Sequence, residues 1–102
     1  MNNKKQVLRV IFKVIDEINQ LLPEDGQMKK SIDTDLFGRS GKLDSMGLVT
    51  LIVTTEQKIE EELGVSITIA DERAMSQKNS PFKTIGTLAE YTLLLLEENA
   101  NG

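Results

Sequence analysis

The chain contains neither cysteine nor histidine. Without cysteine it has no disulfides and no thiolate metal ligands. Without histidine, no imidazole stands ready to deprotonate a serine, as hydrolytic triads require. Aromatic residues make up only 4% of the sequence, so the core must be built from Leu, Ile and Val, and it is small. Long apolar runs are missing too. Leu93 to Leu96 is cut off by Glu97, and the basic start is broken up by Arg9, Lys13 and Asp16, with no small-residue cleavage site. No membrane span is expected, and a cytoplasmic location agrees with the absent cysteine. A net charge of −4 argues against a nucleic-acid binder, which needs a basic surface to neutralise phosphates, and suits basic partner proteins. The 102 residues fit one domain, residues 1–102, expected to be a monomer.

What is present is helical periodicity. Leu8, Ile11, Ile15, Ile18 and Leu22 recur at spacings of three and four, opposite Arg9, Lys13, Asp16 and Gln20, which predicts an amphipathic helix over about 4–22. Pro23 to Gly26 forms a stop-and-turn signal. A long polar loop follows, from Glu24 to Lys42. A loop of that length needs a function or a pin, and Ile32, Leu36 and Phe37 are the expected pins. Leu48, Leu51, Ile52, Thr55, Ile59 and Leu63 share one face of a second helix over 45–63, closed by Gly64 at C′.

Val65, Ile67 and Ile69 alternate with polar residues but have no strand to pair with, so they read as an extended connector. Asp71 to Met75 follow a weak capping pattern that starts at Thr68 and predict a short helix over about 71–76. Thr84 can cap a last helix over about 85–98, with Ile85, Leu88, Thr92 and Leu95 on one stripe and Tyr91 and Leu94 beside it. The expected fold is all-α, a small four-helix bundle with a long first loop and a short third helix.

Chemistry concentrates in GKLDSMGLVTLI, residues 41–52. Ser45 follows Asp44 and opens the second helix. A serine there can be a simple N-cap, or it can carry an anion, because unpaired backbone N–H groups and the macrodipole favour negative charge at a helix N-terminus. Gly47 keeps the first turn uncluttered. With no base and no second constellation in the chain, any chemistry at Ser45 is done to this protein by another.

Asp44-Ser45-Met46, placed after a long loop at the start of the central helix, resembles the attachment site of acyl carrier proteins. The likeness extends to Gly64-Val65-Ser66-Ile67 and to the Thr84-Ile85-Gly86-Thr87-Leu88 opening of the last helix. It implies an acyl-carrier-type bundle that is not itself an enzyme. Ser45 would bear a covalent 4′-phosphopantetheine, attached by a phosphopantetheinyl transferase (holo-carrier synthase). Asp44 has two readings, cap of the second helix or, by the resemblance, a contact for that transferase and its metal, and it can serve as both. It further implies acyl groups held as thioesters for an acyl-loading enzyme and for downstream synthases or acyltransferases of fatty-acid, lipid or polyketide-type biosynthesis. The connector and the residues after it also resemble D-alanyl carriers of Gram-positive wall modification, so an aminoacyl, D-alanyl or peptidyl carrier is the first alternative. A helical interaction module without a prosthetic group is the second.

Two departures from the family point to a specialised member. Between Asp44 and Glu56 there is no carboxylate, and the second helix runs about a turn long. Met46, Val49 and Val53 are therefore the expected partner-docking stripe, although two of them could instead complete the core. Glu56 and Glu60, with the acids around Glu60, are the expected charged part of the partner surface.

Overall fold

The computed structural model describes residues 4–37, 43–70 and 81–101, with only the backbone at Ala100 and Asn101. Among these residues the fold is helical, with three α-helices: α1 (Lys4–Asn19), α2 (Ser45–Leu63) and α3 (Ile85–Asn101), plus one 3-10 turn at Glu24–Gly26. The fourth helix expected over 71–76 lies outside the described residues. No described helix is long and apolar enough to cross a membrane.

Helix α1 is central: α2 and α3 each pack against it rather than extensively against one another. Being covered on two sides widens its buried face. Val7, Val10 and Val14 join Ile11, Ile15 and Ile18 in the core, while Leu8, expected as the first residue of the stripe, is half-buried. The helix also ends three residues earlier than expected, at Asn19 rather than Leu22. There the Asn19 side chain bonds both backbone groups of Met28, at 2.8 Å each. Leu21 and Leu22 turn on tight i→i−3 bonds, as expected ahead of Pro23, whose ring disfavours helical backbone in the preceding residue.

The loop after α1 is pinned chiefly by its backbone. Leu36 is fully buried, whereas Ile32 and Phe37 are exposed, so only one of the three expected pins serves through its side chain. Leu36 N–H donates to Lys83 O at 2.8 Å, Ile85 N–H to Thr34 O at 3.0 Å and Gly86 N–H to Ile32 O at 2.9 Å, around an isolated antiparallel bridge between Asp35 and Thr84. The bonds of Ile85 and Gly86 use the first free donors of α3. The next donor is capped by the expected Thr84, whose Oγ1 accepts from Thr87 N–H at 3.1 Å while Thr84 N–H donates back to Thr87 Oγ1 at 3.0 Å. This is a capping box with threonine at both ends. Helix α3 continues to Asn101, past the expected end at 98.

Helix α2 matches its expected span, and Gly64 closes it at φ 68° with its N–H on Glu60 O. Leu51, Ile52, Thr55 and Ile59 are its buried face. The connector after it buries Ile69 and half-buries Val65 and Ile67. Thr55 and Thr92 are wholly buried with hydroxyls that bond to no described residue, which costs stability.

The crossing at Gly86 is a sharp test of this architecture. A Cβ there would lie 2.9 Å from Ile32 O, a backbone atom fixed by its own bond to Gly86. Gly86→Ala should therefore lower stability in urea unfolding by about 1–3 kcal/mol, despite the better helix propensity of alanine.

Candidate functional site

The site is the open end of α2. Leu43 is buried and delivers the chain to the helix, its N–H on Leu36 O at 3.1 Å. Asp44 is the N-cap: its backbone is extended, and its Oδ1 accepts from Gly47 N–H at 2.7 Å. Ser45 is thus the first helical residue and not the cap, which removes the capping role otherwise open to its hydroxyl. The Ser45 side chain is exposed and bonds to no described residue. Gly47 has a positional reason as well. A Cβ there would approach the Leu43 side chain at 3.1 Å and Asp44 Oδ1 at 3.2 Å, crowding the cap.

The two comparable helix starts differ. At α3, the first donors are taken by Thr34 O and Ile32 O, and Thr87 N–H by Thr84 Oγ1. At α2, Asp44 satisfies Gly47 N–H, while the N–H groups of Ser45 and Met46 have no partner among the described residues. Among the described residues, helix α2 therefore keeps two donors without a partner, and the positive end of its dipole, beside an exposed hydroxyl. A phosphodiester on Ser45 fits there, because nothing described covers the side chain and the adjacent amides suit an anion.

Beside this end stands an apolar ridge. Met46, Val49 and Val53 are 75%, 55% and 44% exposed, at spacings of three and four that place them along one helix side. None of the three completes the core. The residues of the ridge contribute no charge, and Thr50 turns its hydroxyl onto Met46 O at 3.0 Å.

The expected acidic part of the partner surface needs correction. Glu56 is half-buried and accepts from Ile69 N–H at 2.6 Å, so it ties the connector back onto α2. Glu62 pairs with Lys13 at 2.8 Å, and Lys58 stands between Glu17 at 3.6 Å and Glu61 at 4.0 Å. Much of the late cluster thus clips α2 to α1 and its own helix. Glu60 is exposed, with no ion pair among the described residues. Nothing in the sequence marked Glu56 as internal, since its partner is a backbone amide on another element.

Compared with protein-family models, with curated proteins and with solved structures, the chain matches none.

The assignment of Asp44 as cap and Ser45 as first helical residue separates two variants that would otherwise look alike. Asp44→Ala should cost about 1 kcal/mol. Ser45→Ala should leave stability within about 0.5 kcal/mol of wild type, both read by thermal or denaturant unfolding.

Proposed function

We propose that the protein is a carrier whose working group is a 4′-phosphopantetheine on Ser45, added by a separate transferase. The observation that carries this reading is the state of Ser45: exposed, relieved of capping by Asp44, and beside the unpaired amides of Ser45 and Met46 at the start of α2. The Asp44-Ser45-Met46 motif supports it independently. When bound, the arm supplies a thiol on which an acyl group is held as a thioester. The chain's own residues do the rest. Ser45 Oγ is the attachment point, the amides of Ser45 and Met46 face the phosphate, and Asp44 holds the helix start rigid while one of its carboxylate oxygens is left for the transferase. Helix α2 anchors the tethered cargo beside the ridge of Met46, Val49 and Val53, raising its effective concentration for enzymes docked there.

The uncharged ridge indicates partners that recognise apolar surface more than acidic charge, which favours a specialised acyl carrier over a housekeeping one. The same ridge supports the second reading, a helical interaction module in which Ser45 carries nothing.

Incubation with coenzyme A and a promiscuous phosphopantetheinyl transferase should add the mass of one phosphopantetheine to the wild-type protein and none to Ser45→Ala. An unmodified wild-type chain, under conditions that load a control carrier, would turn the assignment toward the interaction module.

Docking through the ridge has its own readout. Val53→Glu should slow loading or transfer by the cognate enzyme while the helical circular dichroism stays unchanged, and added salt should have little effect on the wild-type rate. Strong salt dependence together with an unaffected Val53→Glu protein would show charge-led docking instead.

A further inference from the structure

We infer that the outer face of α1 is a second docking surface, shaped for a short acidic amphipathic helix of a partner protein. A groove of about 450 Å³ runs along α1 from Lys5 to Asp16, closed at one end by Lys30. That stretch is about three helical turns, roughly 16 Å. Leu8 and Phe12 are half-buried along it, and Lys5, Arg9 and Lys13 stand around them.

The cations are not equally committed. Lys13 is held by Glu62 at 2.8 Å, and the groove's carboxylate, Asp16, is already matched by Lys30 at 3.3 Å. Lys5 and Arg9 are exposed and pair with no described carboxylate. In a chain of net charge −4, this is a local positive strip laid over an apolar floor.

The combination selects the occupant. A small anion would gain nothing from Leu8 and Phe12. A flat lipid surface meets projecting apolar side chains, whereas these are partly recessed among the cations. A helix with Leu or Phe at spacings of three and four seats those side chains in the groove and brings its flanking carboxylates to Lys5 and Arg9. The surface is formed by α1 and Lys30 and involves no atom of Ser45, so it stands or falls separately from the carrier reading.

The test uses the full chain and a labelled synthetic peptide of about four turns with Leu and Glu at helical spacing. Its controls are an isomer of the same composition with the leucines dispersed, and vesicles of phosphatidylglycerol. The amphipathic peptide should bind at least about tenfold more tightly than its isomer and than the vesicles. Lys5→Glu/Arg9→Glu, at two exposed positions outside the core, should lose about tenfold or more in affinity with unchanged circular dichroism. Ser45→Ala should bind like wild type, and amide shifts should fall on residues 5–16 and not on 46–53. Absence of peptide binding, equal binding of the isomer, an unaffected double variant, preference for vesicles, or shifts centred on 46–53 would each overturn the proposal.

Discussion

The double anchoring of Leu36 is the constraint on which the rest of the structure depends. Its side chain is fully buried, its N–H reaches Lys83 O, and its carbonyl receives Leu43 N–H. One residue of an otherwise polar loop thereby fixes both the entrance to α2 and the entrance to α3. Backbone groups that a loop normally gives to water are matched here against the free donors of a helix end. This reconciles a long irregular segment with a small core: the loop replaces missing apolar area with directional bonds, and it positions Asp44 and Ser45 only a short way downstream of a rigid point.

A consequence is the unequal treatment of the two helix starts. Helix α3 uses up its donors on Ile32 O, Thr34 O and Thr84 Oγ1 and becomes part of the scaffold. Helix α2, among the described residues, receives a single side-chain cap, and its first two amides find no partner there. The same chemistry serves stability in one place and leaves capacity for an anion in the other. The open end also carries the exposed ridge of Met46, Val49 and Val53. A modified Ser45 and a partner-facing apolar strip would thus share one rigid element, a more precise arrangement than a site on a loop.

The fold class was largely legible in the sequence because three of its signals are local. Periodicity set α2 at 45–63, Gly64 marked its end, and Thr84 marked the start of the last helix, each through interactions within a few residues. The failures were all long-range. The core side of α1 turned toward Val7, Val10 and Val14 because neighbours cover it on two sides, which a single stripe of Leu and Ile does not encode. Its end at Asn19 depends on a bond to Met28, and the loop is held by its backbone rather than by Ile32 or Phe37. At the site, the motif located Ser45. Asp44 and Ser45 were both legible as possible caps; the choice between them was decided by the extended backbone of Asp44 and the space left by Gly47, features that a one-letter string does not show.

The acidic end of α2 illustrates how charge can mislead when read along the chain alone. Three consecutive glutamates near a helix C-terminus are unfavourable with the macrodipole, which suggests that they are kept for a partner. In three dimensions one of the three, Glu62, meets the basic start of the protein. Lys13 of α1 is its partner, while Lys58, on α2 itself, stands between Glu61 and Glu17 of α1, and Glu60 is left exposed. Each such exposed pair contributes at most about 1 kcal/mol, but their placement matters more than their strength. They hold the charged end of α2 against α1. Met46, Val49 and Val53 at the start of α2 and Lys5 and Arg9 on α1 take no part in this pairing, so the apolar and the cationic surface characters both stand apart from the contact that the ion pairs brace.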